Sequence, residues 1–178
     1  MLKKSLIISL IVAVFCVTGL AQPAGMQEHV DNEAKFSIMF PADWGKETNK
    51  DGANVVFTAP DSTAVVQVQL QTTDGEIDEN FTARAVLDEA ERQLKYTNLL
   101  PENKRIMKPA QLKSVGAREG ALGLYKTSTE EGTVIVQEII VMIQGTNVYS
   151  LIKTIQEAAL PQHGKTIDNM LKSFKIMK

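Results

Sequence analysis

Residues 133–144, TVIVQEIIVMIQ, are apolar almost throughout and are the most informative part of the chain for its fold. Successive side chains of a β-strand point to opposite faces of the sheet, so a strand without alternation presents apolar groups on both faces. Each face must then be covered by other elements. The stretch therefore predicts an interior strand, with further secondary structure packed above and below it.

Two short turns that contain glycine flank this strand. Residues 130–132, EEG, precede it, and residues 145–147, GTN, follow it. Turns of this length join antiparallel neighbours in hairpins. We therefore expect strands over residues 121–127 and 147–155 on the two sides of the interior strand.

The clearest alternating strand lies in the N-terminal half of the chain, at residues 63–72. Val66, Val68 and Leu70 point to one side of it, and three glutamines point to the other. This pattern predicts that one face of the strand packs in the core and that the opposite face is more exposed to solvent. Weaker patterns predict shorter extended segments at residues 35–40, which Pro41 ends, and at 54–58, 103–108 and 111–115.

Two segments have apolar residues at helical spacing. The first, residues 78–97, carries a buried stripe of alanine, valine and leucine and is expected to be capped by Asp78 or Asn80. The second, residues 161–174, begins with a proline, which suits the first helical position. The chain is therefore predicted to be an α+β protein, with an antiparallel sheet of about five to seven strands and helices packed on both faces.

The first residues have the layout of a secretory signal peptide. Lys3 and Lys4 precede an apolar run at residues 6–17, and Gly19 and Ala21 supply the small residues of a cleavage site before Gln22. We expect residues 1–21 to be removed and the protein to be exported, either to the periplasm or out of the cell. A retained N-terminal anchor is the alternative.

The expected cleavage gives the mature protein a different composition from the full sequence. The sequence has 178 residues, a net charge of −2 and one cysteine, Cys16, which lies inside the signal peptide. The mature chain would have no cysteine, no disulfide and a net charge of −4, since both leader charges are lysines. Such a balance provides no basic surface for nucleic acid. Residues 22–33 are interpreted as a flexible leader and residues 34–178 as a single domain, with no stable membrane span after cleavage.

Motifs for catalysis, metals and cofactors are missing from the sequence. It has no nucleophile elbow and no glycine-rich phosphate loop, and its two histidines, His29 and His163, are far apart in sequence. Residues 74–79, DGEIDE, resemble a calcium loop but have no glycine at position 6 and no glutamate at position 12. The sequence predicts a protein that is not an enzyme and requires no cofactor or metal.

Three large aromatic residues are candidates for ligand binding. Trp44 is the only tryptophan, and Tyr125 and Tyr149 lie in predicted strands. Such residues can stack on a ligand in a cleft, but they more often anchor a core. The alternative interpretation of all three is therefore a role in packing.

Two motifs resemble those of PsbP-like proteins. Residues 36–44, FSIMFPADW, are similar to that family's opening strand, and residues 171–176, LKSFKI, to its closing helix end. The resemblance implies an α/β/α sandwich of the Mog/PsbP type and a protein that acts mainly by binding other proteins. It implies no catalytic residue.

Two functional hypotheses follow from these observations. The first is an exported, non-catalytic module that binds an unidentified protein or envelope partner. The alternative is a carrier of a small apolar ligand or lipid, held in a cleft between sheet and helices near Trp44. A connected apolar pocket of at least ~300 Å³ would favour the carrier, and a filled core would favour the module.

Overall fold

The computed structural model describes residues 25–50, 53–73, 82–95, 100–107 and 119–177. Seven of its ten strands form one antiparallel sheet, in the order β3-β4-β5-β9-β8-β7-β6. These strands are β3 (Gly45–Lys50), β4 (Ala53–Thr58), β5 (Ala64–Thr72), β6 (Leu100–Met107), β7 (Glu119–Ser128), β8 (Val134–Gln144) and β9 (Asn147–Gln156).

Strand β8 is interior, as its composition predicts. It pairs with β7 on one side and with β9 on the other. Ile139 and Val141 are buried towards one face of the sheet, and Ile140 and Met142 are buried towards the other. The unbroken apolar run is thus explained by cover on both faces.

The two hairpins around β8 are also confirmed. A two-residue loop, Gly145 and Thr146, connects β8 to β9, and Gln144 pairs with Asn147 across it. Gly145 has a φ of 59°, a value that glycine adopts without a steric penalty. The turn chemistry visible in the sequence therefore fixes the register of these two strands.

A separate three-stranded sheet was not predicted. It has the order β1-β2-β10 and consists of β1 (Met26–Asp31), β2 (Phe36–Pro41) and β10 (Lys175–Ile176). The prediction of a flexible leader over residues 22–33 is wrong for the part that forms β1. That strand pairs with β2 along its whole length, from Met26 opposite Pro41 to Asp31 opposite Phe36. Backbone pairing holds it, although its own sequence is polar.

The two helices lie on opposite faces of the seven-stranded sheet. Helix α1 (Ala83–Lys95) packs on β7 and β8 and also contacts β6. Helix α2 (Leu160–Ser173) follows a short 3-10 turn, Glu157–Ala159, and packs on β9 and on β2 of the smaller sheet. The predicted arrangement of helices on both faces is confirmed.

Helix α1 begins later than predicted. Its first residue is Ala83, and the Thr82 hydroxyl accepts a hydrogen bond from the Ala85 amide at 3.1 Å. Thr82 therefore satisfies a donor of the first turn, which is the task that the sequence assigned to Asp78 or Asn80. Those two residues, the predicted segment 111–115 and the predicted signal peptide lie outside the described residues.

Two clusters of buried residues form the interior. The larger lies between the seven-stranded sheet, α2 and the smaller sheet, and its aromatic members are Phe36, Phe40, Trp44, Phe57, Tyr149 and Phe174. The smaller lies beneath α1 and consists of Ala83, Leu87, Ala121, Tyr125, Ile139, Val141 and Val148. One side of the sheet is therefore packed with rings, and the other mainly with aliphatic side chains.

Candidate binding cleft

A cleft of about 440 Å³ separates α1 from the neighbouring part of the sheet. We call it the α1 cleft. Strands β5, β8 and β9 supply its floor, and one flank of the helix supplies its wall. Its lining residues are Gln69, Gln71, Ala85, Val86, Glu89, Ala90, Ile139, Val141, Ser150 and Ile152.

The floor of the α1 cleft follows from strand alternation. On β5, Val66 and Val68 face the larger core, so that Gln69 and Gln71 face the cleft on the other side of the sheet. Register places Ser150 directly between Gln69 on β5 and Val141 on β8. Ile152 of β9 lies directly opposite Ile139 of β8. The floor is therefore polar along β5 and apolar along β8.

The helix wall is built from small side chains. Ala85 and Ala90 line the cleft together with the half-buried Val86. Of the lining residues that the structure describes, only Glu89 has an ionisable side chain, and it forms an exposed ion pair with Arg92 one turn further along the helix. Alanine at these positions leaves space between helix and strands that a longer side chain would fill.

Tyr125 lies beneath α1, on the same face of the sheet as the cleft. It is 1% exposed, and its hydroxyl has no hydrogen-bond partner among the described residues. The ring covers Gly123, where a Cβ atom would lie 2.4 Å from the tyrosine oxygen. Burial raises the pKa of the Tyr125 hydroxyl, and the nearby charge of Asp88 raises it further. Gly123 pairs with Ile139, so this ring lies next to the cleft floor without lining it.

Tyr149 lies on the opposite face of the sheet, in the larger core. Its hydroxyl donates to the carbonyl oxygen of Ala34 at 3.0 Å, and its ring meets Phe174 edge-on at 6.2 Å. Burial raises the pKa of the Tyr149 hydroxyl, and a hydrogen bond with Asn147 opposes this effect. The side chain thus connects β9 to the turn between β1 and β2.

Trp44 also belongs to the larger core and is only 6% exposed. Its ring meets that of His163 on α2 edge-on, with the centroids 5.8 Å apart. His163 Nε2 lies 2.9 Å from Oδ2 of Asp61, whose other oxygen accepts hydrogen bonds from Thr63. These hydrogen bonds lower the pKa of Asp61 to about 2, and the bond with His163 has the largest effect. His163 therefore joins α2 both to the β4–β5 turn, through Asp61, and to the ring of Trp44.

The structure does not bring the three aromatic candidates together. Tyr125 lies in one core, while Trp44 and Tyr149 lie in the other, on the far side of the sheet. The α1 cleft lies on the opposite face of the sheet from Trp44, near which a ligand cleft was expected. The sequence signal for it was the row of glutamines on β5. That row indicated a wetter face but could not show where the helix would lie.

The second histidine, His29, lies on β1 and is packed between aromatic rings. Its ring centroid is 5.8 Å from that of Phe36 and 6.0 Å from that of Phe57. Burial lowers the pKa of His29, the nearby Lys46 lowers it further, and Asp31 acts in the opposite direction. The position suits a neutral imidazole.

A second cleft, of about 400 Å³, lies on the other side of the molecule. It is lined by Met26, Met39, Asn169, Lys172 and Ser173. Ser173 accepts a hydrogen bond from the Met39 amide at 2.8 Å and donates to the Met170 carbonyl at 2.6 Å. The Ser173 hydroxyl is therefore engaged in joining α2 to β2.

The described part of the chain has neither a candidate metal site nor a candidate membrane-spanning helix. Within it, no three His, Cys, Asp or Glu side chains are grouped so that they could hold a metal ion. No helix there has the length and apolar character needed to cross a membrane. The calcium-like stretch at residues 74–79 lies outside the described residues.

Comparison with known proteins gives a family and a fold. The sequence matches the PsbP family over residues 24–176. No curated protein matches it significantly.

Three solved structures share the architecture. Cyanobacterial PsbP (CyanoP) from Synechocystis sp. PCC 6803 has a TM-score of 0.64 at 13% identity, covering 89% of this chain and 96% of that one. LpqN of Mycobacterium tuberculosis has a TM-score of 0.57 at 15% identity, covering 86% of this chain and 92% of that one. The Ran-binding protein Mog1p of Saccharomyces cerevisiae has 0.52 at 10%, covering 86% and 96%. At these identities the likeness concerns the fold alone.

Proposed function

The chain belongs to the PsbP family, and from that premise we propose that it is a non-catalytic module that binds a protein or envelope partner. Two proteins of the same fold support this. Mog1p is a Ran-binding protein, and LpqN is involved in cell envelope biogenesis. The partner of the present chain is to be sought among proteins and envelope components.

The observation that carries the proposal is the α1 cleft. Helix α1 packs mainly on β7 and β8, so that the sheet surface formed by β5 and β9 borders an open space. That surface combines apolar side chains, such as Ile152, with amide and hydroxyl groups, such as those of Gln69 and Ser150. Sites that recognise ligands commonly have an apolar lining with a few polar groups that orient the ligand.

Export forms part of the same proposal. The signal peptide layout of residues 1–21 places the working protein in the periplasm or outside the cell. The family match starts at residue 24 and the first strand at Met26, so both follow the expected cleavage site. N-terminal sequencing of the secreted protein should give Gln22 as the first residue, whereas Met1 would contradict cleavage.

The second candidate function is a carrier of a small apolar ligand, and the volume of the α1 cleft favours it. About 440 Å³ lies within the range of roughly 300–1,000 Å³ that is typical of small-molecule pockets. Of the three aromatic candidates, Tyr125 lies next to this cleft and is the one that would adjust to a ligand. Trp44 and Tyr149 would act on binding only through the stability of the larger core.

A pair of matched variants tests the binding module. Ala85 lines the α1 cleft and is exposed, and Ala158 is an exposed alanine in the short 3-10 turn. Ala85→Phe fills the mouth of the cleft at a helix-propensity cost of only about 0.5 kcal/mol. Ala158→Phe adds the same ring elsewhere.

Both variants and the wild type would be used to capture partners from the native envelope, with mass spectrometry of proteins and extracted lipids. We expect one partner to be recovered with the wild type and with Ala158→Phe, and to fall at least tenfold with Ala85→Phe. Equal recovery by all three proteins would reject the α1 cleft as the binding site. Recovery of a single lipid class without a protein would favour the carrier.

A further inference from the structure

We propose that the α1 cleft holds a small amphiphile whose apolar body lies on the β8 side and whose head group is cationic or an uncharged hydrogen-bond donor. The inference deepens the second candidate function and rests on it. It adds the orientation of the ligand and the chemistry that the cleft accepts.

The apolar body would lie on a continuous aliphatic surface. Ile139 and Val141 are 5% and 1% exposed, and they lie two residues apart on the same face of β8. Ile152 is the direct partner of Ile139, and Val86 approaches from the helix. A hydrocarbon placed there loses contact with water, at a gain of roughly 0.8 kcal/mol for each buried methylene group.

The head group would lie along β5. Gln69 and Gln71 project to the same side of this strand, and Ser150 is the direct neighbour of Gln69. Amide and hydroxyl side chains can donate and accept hydrogen bonds, and they carry no charge. The polarity of the cleft thus changes across the strands, from β5 through β9 to β8. A ligand with one polar and one apolar end matches that gradient in a single orientation.

The charge of the lining selects among head groups. Among the described residues, Glu89 is the only ionisable one that lines the cleft, and an ionised carboxylate only accepts hydrogen bonds. Its ion-pair partner, Arg92, is an exposed residue that does not line the cleft. A cationic head is attracted to Glu89, whereas an anionic head near it experiences repulsion. At a solvent-exposed mouth this difference corresponds to roughly a tenfold ratio of dissociation constants.

The proposal can be tested with three probes that share an eight-carbon chain and differ in the head group. They are octylamine, 1-octanol and octanoate, each used at pH 7 below the concentration at which it aggregates. Binding to the protein expressed from its full sequence would be followed by amide chemical shifts in NMR spectra. We expect saturable shifts at Val141, Ser150 and Ile152. Octylamine should bind about tenfold more tightly than octanoate, with octanol between them.

Two charge variants on the same helix separate the head-group effect from a general change of charge. Glu89→Gln should reduce the octylamine-to-octanoate ratio to near one and leave octanol binding unchanged. Asp88→Asn removes a negative charge from the adjacent position, whose side chain pairs with Arg84 and does not line the cleft. It should keep most of the ratio. Ala85→Phe should weaken all three probes alike.

The outcomes distinguish this inference from the functions on which it depends. Equal binding of the three probes, unaffected by Glu89→Gln, would overturn the head-group assignment and leave the carrier function standing. Shifts confined to residues around Trp44 or the second cleft would overturn the location. Failure of every probe to bind would overturn both the inference and the carrier. If a captured protein partner were still lost with Ala85→Phe, the binding module would stand alone.

Discussion

The two faces of the seven-stranded sheet differ in what fills them. Beneath α2 and the smaller sheet, six aromatic residues pack in one continuous core, in which Phe36 and Phe174 are fully buried. Beneath α1 the buried set is smaller and, among the described residues, contains a single aromatic ring, that of Tyr125, beside a cleft of about 440 Å³. The more tightly packed face and the proposed binding site thus lie on opposite sides of the sheet.

The largest effect is expected in the aromatic core. Phe174 is fully buried and stacks on Phe36 with the ring centroids 5.6 Å apart. Phe174→Ala should lower the free energy of unfolding by about 3–5 kcal/mol, because it creates a cavity in a packed region. Val86→Ala, at the half-buried wall of the cleft, should cost about 1 kcal/mol. Urea denaturation measures both, and equal costs would show that the two faces are packed alike.

The two buried tyrosines provide the sharpest comparison between the faces. Tyr149→Phe removes a hydrogen bond of 3.0 Å and leaves the Ala34 carbonyl without that donor, which should cost about 1–2 kcal/mol. Tyr125→Phe removes a hydroxyl that has no partner among the described residues, so its cost should be about zero. Thermal unfolding of the two variants checks the difference. A cost for Tyr125→Phe equal to that for Tyr149→Phe would imply a structural role for its hydroxyl.

Acidification should weaken the aromatic side first, through His29. Its pKa is lowered from 6.5 in the folded protein, so the unfolded chain binds the proton more readily. Stability is therefore full above pH 6.5 and decreases as the pH falls from 6.5 towards the lowered pKa of His29. Melting temperatures between pH 8 and pH 5 measure this step.

Two variants identify the source of that step. His29→Phe should remove it, because phenylalanine fits between the rings of Phe36 and Phe57 and does not titrate. Lys46→Gln should make the step smaller, since Lys46 is one cause of the lowered pKa. An unchanged step in the His29→Phe protein would assign it to another group.

The smallest effect is expected at Asp61, an exposed residue of the β4–β5 turn. Its pKa is lowered from 3.8 to about 2, so its contribution to stability is present above pH 3.8 and is lost as the pH falls through about 2. Asp61→Asn should lack that acid step, and Asp43→Asn, another exposed acid, should keep it. Acid titration followed by circular dichroism gives the comparison. Superimposable curves for the wild type and Asp61→Asn would contradict it.

The interior of the large sheet could be predicted because its signals are local. The apolar run that became β8, the glycine turns around it and the alternation of β5 each depend on neighbouring residues in the sequence. Two of the edge strands, β3 and β1, were missed for the opposite reason. Strand β3, GKETNK, is exposed at every position, and β1 is mostly polar, so neither shows an apolar face. Their conformation is set by the backbone of a partner strand.

The candidate site was only partly visible in the sequence. The glutamines of β5 indicated a wetter face, but the cleft exists because α1 lies over β7 and β8 and leaves β5 aside. The position of a helix over particular strands depends on tertiary packing, and helical periodicity in the sequence does not predict it. The aromatic residues were visible, but alternation alone could not show that Tyr125 and Tyr149 point to opposite faces, because they lie on different strands.

The smaller sheet has a consequence for a chain that is synthesised from its N-terminus. Strand β2 pairs with β10, and the Met39 amide bonds to Ser173, 134 positions further along the chain. When β2 leaves the ribosome, Phe174, whose ring stacks on that of Phe36, has not yet been translated. The N-terminal segment can complete its packing only after the last helix has been synthesised. A holdase chaperone would protect its phenylalanines during that interval. Deleting the last few residues should therefore impair folding yield more than their small buried surface suggests.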